Sequence, residues 1–157
     1  MQLHIESSAG GVTIVLNEKA SDPSTLFTAK DIVSAIARGF SPEHAFRLIR
    51  NDEEIFDYVD LRSIFGRSDS DIRRVKGRAI GSNGKTRKLI EELTETSLVI
   101  YGHTIGIIGA YNHVEIARNA IQMIINGSQH STVYKFLQRK RSDLKKQKLD
   151  LWKTIKE

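Results

Sequence analysis

No cysteine occurs among the 157 residues, which excludes disulfides, thiolate metal sites and cysteine nucleophiles in one step. Long apolar runs are missing too. The longest, around Ile105 to Ala110, is strand-sized and far short of the roughly 20 residues a membrane helix needs. The N-terminus has no basic start followed by an apolar stretch, so nothing marks a secretory signal and the sequon Asn126-Gly127-Ser128 reads as chance. These absences are compatible with a cytoplasmic protein. The five histidines, His4, His44, His103, His113 and His130, show no His-x-x-x-His spacing, and no acid cluster completes a site with them. Asp52-Glu53-Glu54 reads as a solvent-facing linker rather than a magnesium site. No general base has a partner, so the expectation is a protein that is not an enzyme and holds neither metal nor cofactor.

What is present is a globular composition, 39% hydrophobic and 27% charged, on a length that suits one domain or two small α/β units. Its charge is unevenly placed. Residues 1–60 hold 5 Lys and Arg against 10 Asp and Glu, net −5, whereas residues 61–157 hold 19 against 9, net +10. The second part carries the footprint of a polyanion-binding domain; a solvated lysine-rich surface is the other reading that charge alone allows.

The two ends of the chain repeat one pattern. Leu3-His4-Ile5 and Val12 to Leu16 alternate as two strands around Ser7-Ser8-Ala9-Gly10-Gly11, and Leu98-Val99-Ile100 and Ile105 to Ile108 do so around Gly102-His103. A helix follows each hairpin: Ala29, Ile32, Val33, Ile36 and Ala37 recur, shifted by 88, as Ala117, Ala120, Ile121, Ile124 and Ile125. Past the helix stop, Gly39 matches Gly127, and Ala45, Phe46, Leu48 and Ile49 match Val133, Tyr134, Phe136 and Leu137. Only the second copy has more upstream: a strand at Ile55 to Val59, a helix at Ser70 to Ile80, a tight loop at Gly81 to Gly84 and a helix at Lys85 to Glu95. The first unit is expected to be N-terminally incomplete.

The loop carries the chemistry. Glycines at both ends let Gly81-Ser82-Asn83-Gly84 turn sharply and remove Cβ atoms that would hold a phosphate away. The next helix offers its N-terminal N–H groups to an anion, with Lys85, Arg87 and Lys88 beside them. The order strand, helix, Gly-x-x-Gly, helix, strand, loop, strand, helix resembles a type I KH domain, and Arg78 to Thr86 resembles that family's core motif. The fold expected is therefore α+β: two type I KH-like units, each an antiparallel sheet packed on helices. Residues 1–50 form the partial unit, 51–130 the complete one and 131–157 a basic C-terminal helix or tail.

The resemblance implies that the loop clamps the backbone of about four nucleotides while bases lie on an apolar groove. By it, the groove floor involves Ala79, Ile80, Leu89, Leu98 and Ile100, further phosphate contacts come from Arg73, Arg74, Lys76 and Arg78, and His103 sits in the variable loop near RNA. Two other readings of the loop stand beside this one. The glycines could merely end one helix and start another. Gly84-Lys85-Thr86 also ends as an ATP-binding P-loop does, although that motif wants glycine where Ala79 stands and a strand before the loop. The C-terminal stretch, with Arg139, Lys140, Arg141, Lys145, Lys146, Lys148, Lys153 and Lys156, reads either as a basic helix along RNA or as a solvated tail; Trp152 and Leu149 are expected to dock it onto the body.

A narrower likeness covers nearly the whole chain. Val75 to Gly81, Thr86 to Thr94 and Tyr101-Gly102-His103-Thr104 resemble the second KH domain of the archaeal and eukaryotic Dim/Pno-type ribosome-assembly family. Ala37 to Leu48 resembles the end of that family's first KH domain, and Asn126-Gly127 with Thr132 to Leu137 the segment after the second. This implies a non-catalytic factor in maturation of the small ribosomal subunit, bound to single-stranded RNA near the 3′ end of its ribosomal RNA. The implied partners are a PIN-domain endonuclease and the alpha subunit of translation initiation factor two. A protein-interaction scaffold with weak RNA affinity is the alternative. The incomplete first unit is expected to be unable to clamp RNA, to pack on the second through Ser41 to Ile49 and Ser131 to Leu137, and to turn its apolar face to a partner, a second copy included.

Overall fold

The computed structural model describes residues 3–16 and 22–156. β1 (Leu3–Ser8) and β2 (Gly11–Leu16) pair antiparallel, Ile5 opposite Ile14, across a turn in which Ala9 and Gly10 both take positive φ, as a two-residue hairpin turn requires. α1 (Ser24–Ala37) begins where the Asp22 carboxylate accepts from the Ser24 N–H at 2.9 Å and the Ser24 hydroxyl at 2.6 Å, bonds that hold Asp22 below the usual carboxylate range. It stops at Gly39, whose φ of 95° calls for glycine and which sits close against Tyr101 and Val99. Two short helices follow, α2 (Pro42–Ala45) and α3 (Arg47–Arg50).

The second unit runs β3 (Glu54–Asp60), α4 (Leu61–Phe65), α5 (Asp69–Ile80), α6 (Lys85–Thr94), β4 (Ser97–Tyr101), β5 (Thr104–Ala110) and α7 (Tyr111–Ile125), and α8 (His130–Lys156) follows. The three strands form an antiparallel sheet in the order β3-β5-β4. Along β5, Ile105 and Ile107 point to the helices, joining Leu98, Val75, Ile90, Ala117 and Ile121 in the main core. Ile108 points the other way, into a second core made with Ile32, Ala35, Phe40, Ala45 and Leu48. The central strand is thus buried on both faces, which is why it reads as an unbroken apolar run.

The first unit is therefore the cover of the second unit's sheet. Phe40 lies over Gly106, where a Cβ would come within 2.8 Å of its ring. The ring meets Phe56 edge-on, Phe56 stacks on Tyr58, and Arg38 sits 3.7 Å over Tyr58. Three expectations change here. Ser41 to Ile49 does pack on the sheet, but Ser131 to Leu137 opens α8 on the other side, burying Val133 and Leu137 in the main core. The apolar face of α1 finds its partner within the chain. Glu54 does not face solvent: it starts β3, its side chain is 11% exposed and it pairs with Arg47.

Candidate nucleic-acid interface

α5 buries Ile72, Val75 and Ala79 and leaves Ile80 38% exposed at its end. There Gly81 leaves the helix with φ 72°, Ser82 to Gly84 make one tight turn with Asn83 at φ 53°, and Gly84, at φ 74°, precedes the first residue of α6. The two glycines are needed for different reasons. A Cβ at Gly81 would lie 2.3 Å from the Thr86 hydroxyl oxygen, so this glycine exists for internal packing. A Cβ at Gly84 would meet nothing within 4 Å, which leaves the backbone there open to a ligand. Ser82, Asn83 and Lys85 are exposed, and no side chain caps the first turn of α6. Its orphan N–H groups and positive dipole end form an anion seat. The loop follows a helix instead of a buried strand, which removes the P-loop reading.

The turn is braced from behind. Buried Thr86 shares a 2.9 Å hydrogen bond with the Tyr134 hydroxyl of α8. Tyr134 stacks on His130, whose Nε2 donates to the Arg78 carbonyl at 2.9 Å. The Arg78 guanidinium donates to the carbonyls of Ile124, at 2.8 Å, and Ser128, closing the end of α7. Arg78 is thus half-buried, with two of its five donors spent on these carbonyls. Ala79 and Leu98, at 2% and 3% exposed, belong to the core beneath the groove, whereas Ile80, Leu89 and Ile100 keep surface.

The other expected residues are spread along α5 and α6 and in the β4–β5 loop. Lys76 reaches across from α5 to donate to the Gly102 carbonyl at 2.7 Å, tying the helix to the β4–β5 loop. His103, half-exposed in that loop, is 3.7 Å from the Asp60 carboxylate. Arg74 pairs with Asp71 at 3.3 Å, and the Ser68 hydroxyl, followed by Arg74, holds the Asp71 carboxyl below its ordinary range. Lys88 is exposed, while Arg87 is half-buried at 3.9 Å from Glu91. Glu91 also accepts from the Leu98 N–H at 2.8 Å, which occupies a donor at the start of edge strand β4.

Two contributors escaped the sequence reading. α4 was unforeseen, although Asp60, which caps it by accepting from the Arg62 N–H at 2.8 Å, and Gly66, which ends it, are its signals. The Tyr134 brace left no local signal. Trp152 and Leu149 do not dock on the body; they are 66% and 61% exposed. α8 has 27 residues and spans about 40 Å, against about 15 Å for α6 and 22 Å for α7, so its last turns have nothing beneath them. Among the described residues no group of three or more His, Asp or Glu side chains could hold a metal ion, and no helix is long and apolar enough to cross a membrane.

Comparison with known proteins bears on the fold and the family. The profile of the second KH domain of PNO1, a eukaryotic-type (type I) KH domain, matches residues 55–142. The KH domain-containing protein MJ0443 of Methanocaldococcus jannaschii is 42% identical over 153 residues, 98% of this chain and 66% of that protein. The pre-rRNA-processing protein pno1 of Schizosaccharomyces pombe is 28% identical, over 85% of this chain and 56% of its own length. The chain thus spans less than two thirds of these relatives. Among solved structures, a protein of unknown function from Aeropyrum pernix superposes with a TM-score of 0.90 at 35% identity, covering 98% of this chain and 82% of that one. Dim2p of Pyrococcus horikoshii, in a complex of a/eIF2alpha, aDim2p and rRNA, superposes at 0.79 with 42% identity, over 90% and 76%.

Proposed function

This chain belongs to the PNO1/Dim2 family of KH-domain proteins, and from that premise we propose that it is a non-catalytic RNA-binding protein whose Gly81–Gly84 turn clamps single-stranded RNA. The observation that carries the reading is the exposed turn at the uncapped start of α6, with open space at Gly84 and Lys85 and Lys88 alongside. Main-chain N–H groups there can approach a phosphate that a Cβ would keep away, while Ile80 and Ile100 offer apolar surface to the bases.

The RNA is small-subunit ribosomal RNA near its 3′ end, and the setting is cytoplasmic ribosome maturation. Support comes from the relative named for pre-rRNA processing and from the homologue solved with rRNA. That same complex contains a/eIF2alpha, which supports the alpha subunit of translation initiation factor two as a partner. A PIN-domain endonuclease is proposed from the family likeness alone.

Titrating RNA affinity against salt tests the clamp. Several phosphate contacts give log affinity a clearly negative slope against log salt, whereas a protein-interaction scaffold gives a flat line. Crosslinking in cells tests the ribosomal assignment: fragments clustered at the 3′ end of small-subunit RNA are expected, and fragments scattered over messenger RNAs overturn it.

A further inference from the structure

The chain has two Asn-Gly dipeptides, Asn83-Gly84 in the turn between α5 and α6 and Asn126-Gly127 at the end of α7. Asparagine is thermolabile, most of all before glycine, where no Cβ shields the next backbone nitrogen from the side-chain amide. That nitrogen, having lost its proton, bonds to the asparagine Cγ, and ammonia leaves. Water then opens the cyclic imide. Breaking the new N–Cγ bond gives aspartate, whereas breaking the original peptide bond gives isoaspartate, with the chain rerouted through Cγ. Either way, one amide and one water become a carboxylate and an ammonium ion.

The fold treats the two sites differently. Asn126 has φ −74°, its N–H donates to the Gln122 carbonyl at 2.9 Å, and its Oδ1 accepts from Gln122 Nε2 at 3.0 Å. The nearby carbonyls of Ile124 and Ser128 are held by Arg78. Asn83 instead sits at φ 53°, a left-handed backbone uncommon for a residue with a side chain. It is exposed, and among the described residues its side chain makes no hydrogen bond. The Gly84 N–H reaches the Gly81 carbonyl at 3.2 Å, and open space around Gly84 leaves the turn room to rearrange. Lys85 and the uncapped first turn of α6 stand beside it. Positive charge there favours both the deprotonated nitrogen that attacks and the carboxylate that results.

We propose that Asn83 is a self-modification site: in the free chain it converts to aspartate or isoaspartate, and the carboxylate formed occupies the anion seat and closes the turn to RNA. The chemical step stands on the turn's geometry, and its consequence rests on the RNA-clamp reading above.

The test ages the full chain at mildly alkaline pH and follows the tryptic peptides Ala79–Lys85 and Asn119–Lys135, which separate the two sites, by mass spectrometry. Asn83 is expected to convert about tenfold faster than Asn126, a barrier difference of ~1.4 kcal/mol and the worth of the side-chain hydrogen bond that Asn126 must first break. Its rate should rise in proportion to hydroxide. Aged protein should then bind a short single-stranded RNA about tenfold more weakly through like-charge repulsion. Its log–log salt slope should be flatter by about 0.7, one phosphate contact on a single strand. N83D should reproduce that loss while melting with the parent, which separates closure of the turn from unfolding. Equal rates at the two sites, or a faster Asn126, overturn the proposal and leave the clamp reading untouched. Selective conversion with unchanged RNA affinity also overturns it when S82D/N83D, measured in parallel, abolishes binding. If S82D/N83D binds as the parent does, the clamp reading fails and the closure falls with it.

Discussion

Gly81 and Gly84 look equivalent in the motif but answer to different forces. At Gly81 a methyl group would press on Thr86 from 2.3 Å and 2.8 Å at a positive φ, so neither side chain nor backbone can accommodate it. Gly81→Ala should cost about 2–4 kcal/mol in denaturant unfolding, combining overpacking with backbone strain. Gly84→Ala meets only the positive φ and should cost about 1 kcal/mol while still hindering a phosphate. If the two variants are equally stable, the close approach of Thr86 is not the reason for glycine at position 81.

Among the elements, α8 holds two unlike roles along its length. Its first turns brace the Gly81–Gly84 turn: Tyr134→Phe leaves the buried Thr86 hydroxyl without its partner and should destabilise by about 1–2 kcal/mol, and on the proposed function weaken RNA binding with it. Adding Thr86→Val removes both polar groups in nearly the same shape and should restore much of the stability, a recovery read directly from a double-mutant cycle. Its last turns stand free. Trp152 is the chain's single tryptophan, so its emission should be that of a water-exposed indole and readily quenched by iodide. A shielded, unquenchable signal in the monomer would contradict the placement of those turns.

For the whole molecule, the interface between the repeated units decides cohesion. Phe40 fills the space over Gly106, and Phe40→Ala should cost about 3–5 kcal/mol while loosening α1 to α3 from the sheet, visible as faster amide exchange along β5. This internal cover also narrows the case for self-association, because the face of α1 is already occupied. The most exposed apolar surface among the described residues of the first unit is on the hairpin, where Ile5, Val12 and Val15 are about half exposed, and at Phe27, which is 68% exposed; Ile36, Phe46 and Ile49 are exposed less. If a homodimer forms through the hairpin, I5K/V12K should return it to monomer in sedimentation.

Apart from α4, the main strands and helices of the second unit, the exposed Gly-x-x-Gly junction and the amphipathic helix after it were legible in the amino-acid order, because each is written in periodicity and turn chemistry over a few residues. The tertiary structure alone decided that Arg78 bonds the carbonyls at the end of α7, that Ala79 and Leu98 are buried, that the Glu54 side chain is covered beside Arg47, and that Trp152 is exposed. These outcomes depend on groups far apart in the chain: Arg78 meets Ile124 across 46 positions and Thr86 meets Tyr134 across 48. A local pattern specifies which face of a helix is apolar. Which neighbour covers that face, and which polar group its edge finds, follows only once the layers close on one another.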